Sequence, residues 1–309
     1  MASKNPFAHL KPDQIDLEVM SGFHLEGRYF SVSIQLSDEN DEIGHSYLLK
    51  VMFDGTTLRY ETLLEVPNLI LAHVSPTPID HVALEIGGTT HFLHGTAHAA
   101  SGTPDLFFNK LYHHEGGAVY LYGEHGTVCV AEGHAWRIIK PIAKSFLRAM
   151  HGARNGPVHV AGDDGTLLRL AGNGWKRIPL NFNRSINALQ VAEDGVINIG
   201  CEDGYCFQYF EDDLATIEAP DRDFFSICEF KGKRYWGDDE YGLYVQKGLK
   251  LVPLRELGYG YALQASSEFM VVVGWKEVFL FDGSTWSGFE FGYNRGLHAS
   301  IIDMSRRFL

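Results

Sequence analysis

The chain has 309 residues, of which 26 are lysine or arginine and 39 are aspartate or glutamate, giving a formal net charge of −13. This length accommodates one large all-β domain or two ordinary domains. The negative charge argues against nucleic acid as the main partner, because phosphate would be repelled, and favours either a basic protein partner or a surface charged for solubility.

The N-terminus and the cysteines indicate the compartment. The first ten residues lack the apolar stretch and cleavage site of a secretory signal, and no apolar run approaches the length of a membrane span. Cys201 and Cys206 lie close together, without a second pair to complete a zinc site. We expect a cytoplasmic protein that does not bind membranes and is monomeric on its own. Its expected reduced structural thiols are Cys129, Cys201, Cys206 and Cys228.

The N-terminal region is predicted to hold a tail followed by strands. Residues 1–21 are largely polar and are predicted as the tail. Alternating apolar side chains indicate a strand over 23–36, and acidic residues over 37–42 indicate a loop. Two further strands, over 47–53 and 58–64, flank a tight Asp-Gly turn.

One structural unit then recurs along the chain. Short apolar strands are joined by tight turns that end in glycine, and these glycines are 38 or 39 residues apart. Asp and Gly suit such turns because they tolerate a positive φ. The glycines in step are Gly88, Gly126, Gly165, Gly204 and Gly242.

A period of about 40 residues with four short strands per unit is typical of the blades of a β-propeller. The sequence therefore predicts an all-β, seven-bladed β-propeller with four antiparallel strands in each blade. The first blade is predicted over 22–64. The later blades are predicted over 68–103, 106–141, 145–180, 185–220, 224–254 and 259–291.

The predicted ring closure involves both ends of the domain. A motif typical of an innermost strand occurs near the start of four blades and again over 297–302, where no blade follows. The first blade has no recognisable innermost strand. We predict that the C-terminal strand completes the first blade, which closes a propeller over 22–303 and removes its exposed edges, with 304–309 as a C-terminal tail. Because residues 95–103 are small and polar, six or eight blades are the alternatives.

This architecture resembles the WD40/YVTN-like seven-bladed propeller superfold over about residues 22–303. The signature of true WD40 repeats, with its Trp-Asp dipeptide, is missing, and kelch-type double glycines occur only at 87–88 and 116–117. Residues 281–286 are similar to a sialidase Asp-box, but the spacing is one residue short. The resemblance is one of architecture and implies no specific activity.

The predicted functional surface is an acidic face. In such propellers the turn between the second and third strands lies on one face, together with the links between blades. Those turns are acidic here, and the links add aromatic and arginine residues, which are typical anchors of interfaces. We predict that this face docks a basic protein, as an immunity protein docks a secreted toxin; the alternative is ordinary turn chemistry. The predicted partner-binding residues are Glu124, Asp163, Asp164, Glu202, Asp203, Asp238, Asp239, Glu240, Trp275, Tyr259, Tyr293, Arg184 and Arg295.

Two other kinds of site are weighed against this one. On a strand, His91 and His94 would point to opposite faces, with His98 in a loop beyond, so a metal site is disfavoured. A hydrolase or lyase site would most naturally lie in the central funnel. The second positions of the aligned inner strands contain no carboxylate pair and no nucleophile with its base, so we predict a non-enzyme without cofactor or metal. Those positions are Arg148, Asn187, Ser226, Ala262 and His298.

Overall fold

The computed structural model describes residues 6–38, 43–104, 108–139 and 144–305. These residues form seven antiparallel sheets, six with four strands and one with five, and contain no α-helix. The innermost strand of each sheet contacts those of the sheets on either side, and the last sheet contacts the first. The predicted all-β propeller with seven blades is therefore confirmed.

The first three blades use consecutive strands from the inside outward. Blade 1 contains β1 (Ile15–Glu26), β2 (Tyr29–Asp38), β3 (Gly44–Phe53) and β4 (Leu58–Val66). Blade 2 contains β5 (Ile70–Val74), β6 (Asp80–Glu85), β7 (Thr89–His94) and β8 (Ala97–Gly102). Blade 3 contains β9 (Phe108–His113), β10 (Val119–Gly123), β11 (Val128–Glu132) and β12 (Ala135–Ile139).

The remaining blades follow the same order. Blade 4 contains β13 (Leu147–Gly152), β14 (Val158–Gly162), β15 (Thr166–Ala171) and β16 (Gly174–Arg177). Blade 5 contains β17 (Ile186–Val191), β18 (Ile197–Cys201), β19 (Cys206–Phe210) and β20 (Asp213–Ile217). Blade 6 contains β21 (Phe224–Phe230), β22 (Lys233–Asp238), β23 (Gly242–Lys247) and β24 (Lys250–Glu256). Blade 7 contains β25 (Ala262–Ala265), β26 (Met270–Val273), β27 (Glu277–Phe281), β28 (Trp286–Tyr293) and β29 (Leu297–Ile301).

The core lies between neighbouring blades. Every residue of β10, β14 and β18 is buried, because each of these second strands is covered on both faces by adjacent blades. Fourth strands such as β8 and β12 are mostly exposed. The buried second strands are therefore apolar on both faces, which is why they recur so clearly in the sequence.

The turn glycines are required for two reasons. Gly165 and Gly204 adopt φ values of +59° and +72°, which L side chains rarely adopt. A Cβ at either position would also overlap a carbonyl oxygen of the following link, that of Phe182 or Pro220. Positive φ also occurs at the other glycines in step, Gly88, Gly126 and Gly242.

The predicted closure of the ring is wrong. β29 pairs with β28 as a fifth, outermost strand of blade 7, and blade 1 takes its innermost strand from β1. β1 begins at Ile15, within the segment predicted as a tail. Its apolar side chains at Ile15, Leu17 and Val19 are buried and alternate with Asp16 and Glu18, which made the segment look polar in the sequence.

Blades 1 and 7 meet without sharing a strand. The N–H of Val19 donates a 2.8 Å hydrogen bond to the carbonyl oxygen of Trp275, and the hydroxyl of Tyr60 donates a 2.6 Å bond to that of Leu297. Most of the contact is apolar packing. The buried side chains at this seam include Leu17, Val19, Phe30, Val271, Val273 and Phe289.

One further sequence-based expectation is wrong, and others concern residues outside the described ranges. Residues 97–102 form the regular fourth strand β8, so the expected irregularity of blade 2 is wrong. The expected loop over 37–42 lies partly outside the described residues, as do the ends of predicted blade 3 and part of the predicted C-terminal tail.

Candidate functional site: top face and central channel

The turns between second and third strands lie beside the links between blades. The N–H groups of Gly165 and Gly204 each donate a 2.9 Å hydrogen bond to a carbonyl oxygen of the link that follows, that of Arg184 or Arg222. These bonds hold the acidic turns and the links on one surface. We call this surface, made of the second-to-third-strand turns and the interblade links, the top face.

Three arginines bind acidic turn side chains on the top face. The pairs are Arg148 with Asp163 at 2.5 Å, Arg184 with Asp203 at 3.1 Å, and Arg222 with Glu240. The guanidinium of Arg184 also stacks on the Tyr205 ring, with 3.4 Å from Cζ to the ring centroid. Each pair ties a turn to its own inner strand or the preceding link. Part of the predicted ring of negative charge is therefore neutralised within the surface. This fits the alternative in which the acidic residues stabilise the turns.

Asp238 belongs to the turn of blade 6. Its side chain is fully buried, and Oδ1 accepts hydrogen bonds from the N–H groups of Tyr241 (2.8 Å) and Gly242 (2.5 Å). Its Oδ2 lies 3.8 Å from Nε of Arg222. This carboxylate therefore holds the turn and is not part of the exposed surface.

The other predicted acids are differently placed. Glu124 and Asp164 are exposed, whereas Glu202 is half-buried and accepts a 3.3 Å hydrogen bond from the N–H of Ser185. Asp239 is half-buried; burial raises the pKa of its carboxyl, and neighbouring carboxylates raise that pKa further. A positive charge brought next to Asp239 would oppose both effects.

Three exposed aromatic side chains lie on the top of blade 7. Tyr259 and Tyr261 occupy the link from blade 6, and Trp275 occupies the turn between β26 and β27. Tyr259 is 39% exposed and Trp275 is 43% exposed, with 5.6 Å between their ring centroids. Tyr261 is 45% exposed and stacks on Phe225 at 5.4 Å. We call Tyr259, Tyr261 and Trp275 the aromatic patch.

Two carboxylates lie beside the aromatic patch. The residues next to them in the chain are bonded to the patch or its link: the N–H of Val19 donates a 2.8 Å hydrogen bond to the carbonyl of Trp275, and the N–H of Gly260 donates one of 2.8 Å to the carbonyl of Asp238. Burial raises the pKa of the Tyr261 hydroxyl, and the charges of Glu18 and Asp239 raise it further. Burial also raises the pKa of Glu18. Neither acid forms an ion pair with any residue that the structure describes. Glu18 was missed by the sequence analysis because β1 was predicted as a tail.

Two predicted docking residues lie elsewhere than expected. Arg295 is exposed in the hairpin between β28 and β29, not in a link between blades. The ring of Tyr293 packs edge-on against Phe7, with 5.8 Å between centroids. These two positions are on the outer rim of blade 7, because the chain turns back there to form the fifth strand.

Comparisons with known proteins support the fold. No protein-family model and no curated protein matches the chain. The WD40 propeller domain of Doa1 superposes with a TM-score of 0.67 at 10% identity, over 97% of this chain and 99% of that one. This chain is a seven-bladed β-propeller, similar in fold to a WD40 propeller domain.

Two further solved structures have the same architecture. YCF48 bound to D1 peptide matches with a TM-score of 0.62 at 10% identity, over 85% of this chain and 94% of that one. The extracellular domain of BT4673 from B. thetaiotaomicron matches with a TM-score of 0.62 at 14% identity over 94% of this chain. This chain spans 47% of that extracellular-domain chain, about half of its length. At such identities the likeness concerns the fold alone.

The inner strands of the propeller line a central channel of about 820 Å³. Four of the five predicted funnel positions line it: Arg148, Asn187, Ser226 and Ala262. His298 does not, because β29 is the outermost strand of blade 7. The Ser226 hydroxyl donates a 2.9 Å hydrogen bond to the Gly260 carbonyl, so it serves the link above it.

The carboxylates that line the channel are engaged by arginines. Nε of the Arg154 side chain lies 2.5 Å from Oε2 of Glu115. The backbone N–H of Arg154 donates a 2.8 Å hydrogen bond to Oε1 of Glu193. Glu229 lies 3.8 Å from Nε of Arg234. The lining carboxylates Glu115, Glu193 and Glu229 therefore already have partners, which does not favour their use as the free acid and base of a hydrolase.

A β-bulge recurs near the upper end of the inner strands. In each of blades 2 to 6, one inner-strand residue is inserted between two ladder pairs. Bulges re-aim side chains and often lie next to functional sites. The sequence alignment missed this feature, since it placed Ser226 in the column where the bulged residue is Phe225. The bulged residues are Leu71, Asn109, Arg148, Asn187 and Phe225.

The histidines of blade 2 form local pairs. His91 and His94 point to opposite faces as predicted, since His91 is buried and His94 is exposed and bonded to Asp80 at 2.6 Å. His98 lies in β8, so its expected loop position is wrong; its Nε2 is 2.9 Å from Nδ1 of His91. His91 also binds Glu85.

Three further features of the described residues concern metal-ligand clusters, membrane-spanning helices and disulfide bonds. Within the described ranges, no group of three or more His, Cys, Asp or Glu side chains is placed to hold a metal ion. In the same ranges, no helix has the length and apolarity needed to cross a membrane. All four cysteines are free and buried, and burial raises the pKa of Cys129 and Cys201 to about 12.

Proposed function

We propose that this propeller is a non-enzymatic binding protein that docks a basic protein on its top face. The observation that carries the proposal is the aromatic patch with Glu18 and Asp239 beside it. Aromatic faces attract lysine and arginine side chains, and exposed aromatic groups are frequent anchors of interfaces. Two acids without an ion-pair partner would gain from the same cation.

The physical argument concerns charge that the fold leaves unbalanced. Asp163, Asp203 and Glu240 already have arginine partners, and Glu124 and Asp164 are exposed to solvent, so a docking protein would gain little from these acids. At the aromatic patch, burial makes the ionised forms of Glu18 and Asp239 costly, and a basic side chain would reduce that cost. The proposed contact is therefore centred on blades 6, 7 and 1 and not spread over the whole ring.

A specific role of this kind is that of a bacterial immunity protein that neutralises a secreted basic toxin. The net charge of −13 supports a basic partner. The four free buried thiols support a reducing location such as the cytoplasm. YCF48, a propeller bound to a peptide, is an example of this architecture with a polypeptide ligand.

The test begins with capture from native cells at low and at moderate salt. A basic protein recovered at low salt is then purified, and its affinity is measured against wild type, Trp275→Ser and the double variant Glu18→Gln/Asp239→Asn. We expect each variant to bind about tenfold more weakly. Only the charge variant should lose most of the salt dependence, since screening acts on charges.

The matched control is Ile138→Ser, which removes an exposed apolar side chain from the outer strand of blade 3. This control should bind as wild type does. If Trp275→Ser and the charge variant also bind as wild type, docking at the aromatic patch is refuted. If no basic protein is recovered at either salt concentration, the proposed function loses its main support.

A further inference from the structure

Two cationic side chains face the central channel from neighbouring blades. Lys110 lies on β9 and Arg148 on β13, and both line the channel. Burial lowers the pKa of the Lys110 ammonium, and the charge of Arg148 lowers it further, so the two groups are close enough to repel each other. This repulsion occurs in a protein whose net charge is −13.

The positive charge of this pair is not balanced by the protein. Nε of Arg148 binds Asp163, while its two terminal nitrogens make no hydrogen bond to a described residue. The Lys110 ammonium makes neither a hydrogen bond nor an ion pair in the described part of the chain. Asp163 therefore pairs with Arg148, and Lys110 has no carboxylate partner in the described part of the chain.

Neutral hydrogen-bonding groups flank the two cations. Asn109 and Asn187 are bulged residues of the inner strands on either side of Arg148, and both line the channel. Asn187 is only 9% exposed, and its amide makes no hydrogen bond to a described residue. The Asn109 side-chain oxygen, an acceptor, is buried without a partner in the described structure, and the N–H groups of the same amide also make no hydrogen bond to a described residue. A side-chain amide carries two N–H donors, which suit an oxyanion.

The rest of the channel lining is mixed, with apolar residues beside polar ones such as His24, Glu229 and Gln264. The apolar lining residues of blades 1, 2, 6 and 7 include Met20, Val74, Ile227 and Leu263. The channel volume of about 820 Å³ is within the range of small-molecule sites. The channel can therefore accommodate a small molecule with an anionic end.

We propose that the upper channel binds the oxyanion group, carboxylate or phosphate, of a small molecule between Lys110 and Arg148. The side-chain amides of Asn109 and Asn187 donate hydrogen bonds to the same group. Arg148 offers its two terminal nitrogens to the ligand while Asp163 holds its Nε. This site is separate from the aromatic patch and does not depend on the proposed docking function.

The site has a cost in the free protein that a variant can reveal. Lys110→Met removes the unbalanced charge and keeps a side chain of similar length, so the free variant should melt at a higher temperature than wild type. A lysine that contributes ordinary solvated charge would give no such gain. The matched control is Lys233→Met, which removes an exposed lysine at the start of β22.

The binding test measures the melting temperature of wild type, Lys110→Met and Lys233→Met. Each protein is measured with millimolar inorganic phosphate, benzoate or chloride at one ionic strength. Phosphate represents a phosphate ligand and benzoate represents a carboxylate ligand. Benzoate also carries an apolar ring. At about tenfold excess over its Kd, a bound probe should raise the melting temperature of wild type and Lys233→Met by about 3 °C relative to chloride.

Lys110→Met should show no rise with either probe. A rise with phosphate alone assigns a phosphate ligand, and a rise with benzoate alone or with both assigns a carboxylate or a general oxyanion site. The proposal is overturned if neither probe stabilises wild type, or if Lys110→Met is stabilised as much as wild type.

Discussion

Replacing His73 by glutamine is expected to remove a defined part of the protein's sensitivity to acid. His73 is buried between blades 1 and 2. Its Nδ1 lies 2.5 Å from the Ser21 hydroxyl and 2.9 Å from that of Ser33, and its Nε2 lies 3.1 Å from the Ser31 hydroxyl. Burial lowers the pKa of His73 to about 3, with a smaller effect from the charge of His81.

The sign and size of the effect follow from linkage. The pKa of His73 is about 3 in the folded state and about 6.5 in the unfolded state, so the unfolded chain binds the extra proton between these values. Stability from this residue is complete above pH 6.5 and decreases as the pH falls. At pH 5 the loss is about 2 kcal/mol, and at pH 7.5 it is close to zero.

The assay is urea unfolding followed by tryptophan fluorescence at pH 7.5 and pH 5. The free energy of unfolding of wild type should fall between these pH values, with contributions from His73 and from His81, whose pKa burial lowers to about 4. In His73→Gln that fall should be smaller by about 2 kcal/mol, whatever the stability of the variant at pH 7.5.

A control separates this effect from the loss of any imidazole. His9→Gln removes an exposed histidine outside the blades and should keep the full wild-type fall. If His73→Gln shows the same fall as wild type and His9→Gln, the buried neutral state of His73 is refuted.

Three further predictions concern the turns, the closure and the thiols. Gly165→Ala should lower the free energy of unfolding by more than about 2 kcal/mol in the same urea assay, because a Cβ there overlaps a carbonyl oxygen of the following link. Gly172 has a similar φ but no atom within 4 Å of a built Cβ, so Gly172→Ala should lower the free energy of unfolding by only about 1 kcal/mol. Truncation after residue 296 removes β29, and this variant should melt at a lower temperature but still show a cooperative unfolding transition in its β-sheet circular dichroism signal. Deletion of residues 1–26 removes β1 and should abolish that transition. The opposite outcome would support the predicted closure by the C-terminal strand. In the folded protein Cys201 and Cys206 should not react with Ellman's reagent at pH 8, because both are buried and burial raises the pKa of each; reaction before urea is added would contradict this.

The repeat was predictable because one physical requirement applies in blade after blade. Gly165 and Gly204 each combine a positive φ with a nearby carbonyl of the following link, so glycine is the residue that fits at both positions. The spacing of these glycines therefore gives the period of the blades directly. The buried second strands were predictable for a similar reason, since packing on both faces requires apolar residues throughout.

The closure and the site depended on information that the sequence does not carry locally. The polar residues between the buried positions of β1 are as compatible with an exposed tail as with a strand that borders the channel. The pairing of Arg222 with Glu240 joins residues from a link and a turn 18 positions apart, so the neutralisation of the acidic turns could not be read from composition. A bulge shifts register by one residue, which is why Phe225 was missed.

The seam between blades 1 and 7 has a consequence for how the chain folds during synthesis. Every sheet is built from consecutive strands, so the backbone hydrogen bonds of each blade can be completed as soon as its own stretch has left the ribosome. Six blades can therefore assemble in order of translation without waiting for a strand from the far end. The step that does wait is the apolar contact of β1 with blade 7, which joins the first and last parts of the propeller to be made.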